Sequence, residues 1–154
     1  MAKSERFNKF IDFILKAETV FKKGHYGDYA FAIMECVKGD SGGITKFGID
    51  ASSHPNIDVK NLTLEGAKDI YFSEWANEGI EDLPAPFGEC FYDAAVNCGL
   101  KRAKRFQTIS GNNPFMFNKE RRAFYERLGQ RESLKKFKQG WLNRVGELEH
   151  YLGM

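Results

Sequence analysis

At 154 residues the chain has room for one domain with a single core, and 42% hydrophobic with 29% charged residues is an ordinary globular balance. A net charge of +2 is too small to argue for nucleic acid, although it suits approach to an anionic polymer. No apolar run reaches the ~20 residues of a membrane span, so no stable membrane insertion is expected.

The opening residues mix charges among apolar ones and lack a signal peptide's apolar centre and small-residue cleavage site, so synthesis into the cytoplasm is expected. Phe7, Ile11, Ile14, Glu18 and Phe21 recur at helical spacing, which predicts a first helix over 4–23 stopped by Gly24. From Tyr26 to Ile49 the helical period fails and glycines interrupt, which reads as a short, irregular β-region. Thr63 is positioned to cap a helix running to Trp75, with Ala67, Ile70, Tyr71 and Trp75 facing inward.

Pro84 and Pro86 then break the chain before a helix over 87–98 that ends at Gly99. A fourth helix is expected over 101–109, a fifth capped by Asn118 and ending near Gly129, and a last one over 132–152. In that last helix Leu134, Phe137, Trp141, Val145 and Leu148 are expected to face inward. The fold class is therefore mainly α (α+β): an N-terminal helix, a small β-region and a helical bundle, forming one domain over 1–154.

The three cysteines, Cys36, Cys90 and Cys98, form no CxxC pair. On one helix Cys90 and Cys98 would lie ~12 Å apart, too far for a disulfide, so all three are expected to be reduced. His25, His54 and His150 are too scattered to form a metal-ligand pattern, and no cofactor or metal is expected.

Two features carry chemistry. Glu18 shares a face with Phe7, Ile11 and Ile14, where a carboxylate is costly unless it is paired or protonated. Desolvation there would raise its pKa, which suits a general acid, whereas a salt-bridged glutamate at a fraying helix end is the plain alternative. The segment DSGGITKFGID, residues 40–50, holds Gly42 and Gly43, which permit close approach of backbone to a ligand, flanked by Asp40 and Thr45. The plain alternative is a hairpin turn with Thr45 on an exposed strand face.

Glu18, DSGGITKFGID, IYFSEW at 70–75, FYDAAVNCG at 91–99, and the closing RRAFYERL and FKQGWLNRV together resemble the glycoside hydrolase family 108 muramidases. The resemblance implies a lysozyme-like fold and cleavage of bacterial peptidoglycan between N-acetylmuramic acid and N-acetylglucosamine. In the family the acid is the glutamate of an EGGY-like motif ending the first helix, and Glu18 matches it. The sequence departs from the family in reading ETVF without the two glycines, and in an insertion over 22–38. Glu35, close to Asp40, is the rival acid, and Glu18 is preferred.

Trp75 matches a family tryptophan but at helical spacing reads first as core. Asp93 and Asn97, four residues apart on one helical side, are candidates for lining a substrate groove or for facing water. Asp40 is the candidate second carboxylate, with Thr45 placing the water, an arrangement expected to invert the anomeric centre. The resemblance further implies a phage or prophage endolysin. It would be a monomer, held in the host cytoplasm and reaching peptidoglycan in the periplasm or wall with help from a separate holin. The competing reading is a catalytically weak wall-binding or secretion-associated protein of the same fold. Nucleic-acid binding through Lys101, Arg102, Lys104 and Arg105 has no supporting motif.

Overall fold

The Ser4 hydroxyl accepts the Phe7 N–H at 3.0 Å and so starts the first helix, α1 (Glu5–Glu18). A computed structural model describes residues 2–36 and 43–154; Asp40 and Gly42 lie outside the described residues. Its contacts divide the chain into two compact units, Met1–Glu74 and Trp75–Met154.

In the first unit α1 buries Phe7, Phe10, Ile11, Phe13, Ile14 and Leu15. It stops at Glu18, several residues before the expected Gly24, because Thr19 is extended and the chain then pairs with itself. The Lys22 N–H donates to the Phe31 carbonyl at 3.0 Å and the Ile33 N–H to that of Val20 at 2.8 Å. Those groups are therefore engaged in an extended pairing instead of a further helical turn.

Three short strands follow, β1 (Glu35–Cys36), β2 (Ile44–Lys46) and β3 (Ile49–Asp50), in an antiparallel sheet of that order. Glu35 stands opposite Thr45, and Thr45 opposite Asp50. Phe47 and Gly48 join β2 to β3 with φ of 54° and 79°, the pair of positive values that a type I′ hairpin turn requires. Phenylalanine is an unusual first residue for such a turn. Its ring is buried, and its carbonyl accepts the Tyr71 hydroxyl at 2.7 Å, so tertiary contacts hold the backbone there. As expected, Thr63 caps α2 (Leu64–Asn77), accepting the Gly66 N–H at 3.0 Å.

The second unit is helical. It contains α3 (Phe87–Cys98), α4 (Leu100–Ser110), α5 (Pro114–Leu128) and α6 (Lys138–Tyr151). α3 and α4 match expectation closely. α5 begins earlier than expected, because Asn113 caps it and Pro114 occupies its first turn, where a missing N–H costs nothing. Asn118 is buried inside that helix and donates to Glu149 at 3.2 Å. α6 begins later, after a 3-10 turn at Lys135–Phe137, which leaves Phe137 46% exposed and not inward.

Phe117 meets Phe87 and Phe106 edge-on at 5.4 and 5.8 Å, the preferred aromatic geometry at the centre of this unit. Trp75 is fully buried, donates to Glu81 at 2.9 Å and meets Tyr92 edge-on, so it belongs to the core.

Asp93 corrects the groove-lining expectation. Asp93 is fully buried and takes Arg121 at 2.7 Å and Arg144 at 2.9 Å. The Asn97 side-chain oxygen accepts from Arg121 at 3.2 Å and from the Tyr125 hydroxyl. Asp93 is turned into the helical unit and used up there, whereas Asn97 stays half-buried. Burial opposes the Asp93 charge, yet Arg144 and Arg121 outweigh it and hold the carboxyl below its usual value. Burial pushes the Tyr125 hydroxyl up to about 12, which keeps it a neutral donor.

Two outcomes follow for folding. Asp93→Asn leaves two guanidinium groups short of a counter-charge and should cost about 3–5 kcal/mol in urea unfolding. The folded pKa of Asp93 is depressed, so its contribution is complete above the ordinary aspartate value of about 4 and is lost as pH falls below it. The Asn variant should accordingly show a flatter stability profile in that acid range. In the first unit, Gly48→Ala places a Cβ on a positive-φ residue and against packed neighbours, and should destabilise by about 1–3 kcal/mol in the same assay.

Candidate active site

The expected acid lies against the turn between β2 and β3. Glu18 is the last residue of α1 and is half-buried. A Cβ at Gly48 would stand 2.6 Å from the Glu18 Cβ and 2.5 Å from the Tyr71 hydroxyl oxygen. Glycine at 48 thus allows the end of α1, the β2–β3 turn and α2 to converge on one point. Thr45 lies on β2, on the strand that enters this turn, and is half-buried. Glu18, Gly48 and Tyr71 meet at this turn, and Thr45 lies on the strand that leads into it.

The segment after Glu18 is tied to the same turn by aromatic rings. Tyr26 meets Phe21 at 5.5 Å, Phe21 meets Tyr29 at 5.4 Å, and Tyr29 reaches Phe47 at 6.4 Å. The Tyr29 hydroxyl donates to Asp12 on α1 at 3.1 Å. The chain following Glu18 is therefore fixed both to the helix that presents Glu18 and to the turn that Glu18 touches. Thr19, next to Glu18, has a buried hydroxyl oxygen without a hydrogen-bond partner. An unsatisfied buried hydroxyl costs stability.

Glu35 occupies a different setting. It is exposed on β1, and its place opposite Thr45 puts both side chains on one sheet face at cross-strand distance. Asp50 continues that row beyond Thr45. Its carboxylate accepts from the Ser52 hydroxyl and the Ser53 N–H, and these bonds hold its pKa below the usual value. Thr45 thus has Glu35 beside it on one strand and Asp50 on the other. Gly43 is described and half-buried just before β2.

Gly48, Phe47 and Tyr71 complete the site and were not singled out as site residues by sequence reasoning. The legible signal was the sequence KFGI between two β-forming runs, which marks a tight turn. The contact with Glu18 depends on a fold that brings residues thirty apart together. Cys36 follows Glu35 on β1. Cys36 is exposed, whereas Cys90 and Cys98 lie on α3, where burial pushes the Cys90 thiol up to about 12 and Cys98 above its usual value.

Comparisons with known proteins bear on family likeness and on fold. The family model described as Glycosyl hydrolase 108 matches residues 34–99, a segment that contains Glu35, Thr45, Gly48 and Tyr71 and begins after Glu18. No curated protein sequence matches the chain. A solved structure titled as that of Brucella abortus SagA is similar in fold, with a TM-score of 0.67 and 22% identity over 96% of this chain and 94% of that one. The expected mainly α (α+β), lysozyme-like class therefore holds. Through residues 34–99 the chain is similar to the glycosyl hydrolase 108 family.

Proposed function

We propose that the protein is a peptidoglycan hydrolase, an N-acetylmuramidase that cleaves between N-acetylmuramic acid and N-acetylglucosamine with Glu18 as general acid. The observation that carries this reading is the seating of a half-buried carboxylate at the end of α1 against the Gly48 turn, with Thr45 on the strand entering that turn. Glycoside hydrolysis needs one carboxylic acid to protonate the leaving oxygen and a second carboxylate to stabilise charge or activate water. Asp40, five residues before Thr45, is proposed as the second, with Thr45 orienting the water and Gly42 and Gly43 letting the sugar approach the backbone. The reaction needs no cofactor or metal. Rigid placement of Glu18 by the turn lowers the entropy cost of aligning the proton with the glycosidic oxygen.

The setting of an endolysin follows as part of this proposal. The chain would be a phage or prophage product, monomeric, held in the host cytoplasm until a holin gives it access to the wall. Glu35 as the acid is a second reading, favoured by its place opposite Thr45 and inside the segment that the family matches.

Mass spectrometry of digested peptidoglycan should find new reducing ends on muramic acid. Glu18→Gln keeps the shape but cannot donate the proton, and should lower the rate by at least ~10²-fold, the usual scale of general acid catalysis. Glu35→Gln should stay within about tenfold of the parent, which corresponds to ~1.4 kcal/mol of barrier. The reverse pattern assigns the acid to Glu35. Release of no muropeptides by the folded parent would leave the wall-binding, non-catalytic reading in its place.

A further inference from the structure

The second unit carries a surface that the proposed hydrolysis does not use. α4 has four cations, Lys101, Arg102, Lys104 and Arg105, and no acid anywhere in its length. Lys101 and Arg102 lie in its first turn, where the helix dipole disfavours positive charge. Arg102 is occupied, donating to the Cys98 carbonyl at 3.2 Å and covering the Phe124 ring at 5.0 Å. Among the described residues, Lys101, Lys104, Arg105, Arg127 and Arg131 take part in no ion pair, and all five are exposed. Cations gathered without internal counter-charge, and at a helix end that resists them, are placed for an external anion.

The relief of this surface is specific. A depression of ≈ 800 Å³ runs along α4 past Lys101, Lys104, Arg105 and Thr108. A second, of ≈ 290 Å³, is ringed by Arg105, Arg127 and Arg131 over Phe124 and Leu128. Arg105 belongs to both. Three guanidinium groups around a small hollow with an apolar floor suit a phosphate that carries an apolar tail. At the other end of the same two helices, beside the turn at 111–113, Ile109 is 57% exposed, Phe115 62% and Met116 45%. Ile109 follows Arg105 by one helical turn on the outward side of α4.

A soluble polyanion would account for the arginines and leave three exposed apolar side chains unexplained. A bilayer surface rich in anionic phospholipid accounts for both, because peripheral binding combines charge attraction with shallow burial of apolar residues. We propose that the α4–α5 pair is a docking surface for an anionic phospholipid membrane. A lipid phosphate sits among Arg105, Arg127 and Arg131, and Ile109, Phe115 and Met116 enter the headgroup region.

The test is sedimentation of the full chain with vesicles of phosphatidylglycerol and phosphatidylcholine, against vesicles of phosphatidylcholine alone. Binding is expected only to the anionic vesicles and should weaken as salt rises. Replacing Arg105, Arg127 and Arg131 together by Gln should weaken it at least about tenfold. Replacing Ile109, Phe115 and Met116 together by Ser should also weaken it, at unchanged charge. Circular dichroism and thermal melts check that each variant is folded.

Equal binding to neutral vesicles overturns the proposal, as does full binding by the Gln variant. Elimination of vesicle binding by millimolar inorganic phosphate would reduce the surface to a phosphate site and overturn it. If the Ser variant binds vesicles like the parent, and the parent binds DNA or purified wall polymer equally well, the surface is a polyanion site and the membrane assignment falls. Sedimentation requires no hydrolysis, so these results stand or fall independently of the muramidase reading.

Discussion

The absence of a side chain at Gly48 is the condition on which the first unit's chemistry rests. Two van der Waals surfaces, the Glu18 side-chain stem and the Tyr71 hydroxyl, already occupy the place where a Cβ would be. The positive φ of the turn, the buried Phe47 ring and the Tyr71 bond to the Phe47 carbonyl are mutually dependent consequences. The turn also fixes register. A slip of one residue between β2 and β3 would put Thr45 and Asp50 on opposite faces of the sheet. One small residue therefore determines both where the helix-end carboxylate rests and which way the neighbouring strand presents its hydroxyl.

The second unit is organised by a different force. Asp93 is charged inside a helical core only because two arginines from later helices meet it, and Asn97 and Tyr125 satisfy the donors that remain on Arg121. Such a cluster tolerates little change, since removing any member strands a charge or a donor away from water. Its rigidity contrasts with the cationic outer side of α4, whose groups hold no counter-charge of their own.

Most elements were legible where punctuation was local. Pro86 and Gly99 delimit α3, and Thr63 starts α2, by backbone rules that need no tertiary information. The start of α5 was equally available in Asn113 and Pro114, but Asn118 competed as a capping residue, and only packing shows that it is interior. The end of α1 was not local. Its helical period continues through Phe21, yet the pairing of 20–22 with 31–33 takes over the backbone beyond Thr19. The burial of Asp93 was missed for a related reason. Its partners Arg121 and Arg144 lie 28 and 51 residues away, and no spacing rule announces a buried ion cluster assembled over that distance. In the candidate site, Glu18 and Thr45 were visible as residue types, whereas the contact through Gly48 required the fold.

The placement of Trp75 and Trp141 has a practical consequence. They are the chain's two tryptophans, and both belong to the Trp75–Met154 unit. Trp75 is sealed against Tyr92, and Trp141 stacks on Tyr125 at 5.5 Å, next to the Asp93 cluster. Intrinsic tryptophan emission is consequently a label confined to the helical unit, with one indole in the core and one beside the ion cluster. Loosening of the α1–hairpin assembly around Glu18 contributes no indole of its own to that signal. Its tyrosines, Tyr26, Tyr29 and Tyr71, share their band with Tyr92, Tyr125 and Tyr151 of the helical unit, so only the tryptophan band reports one unit alone.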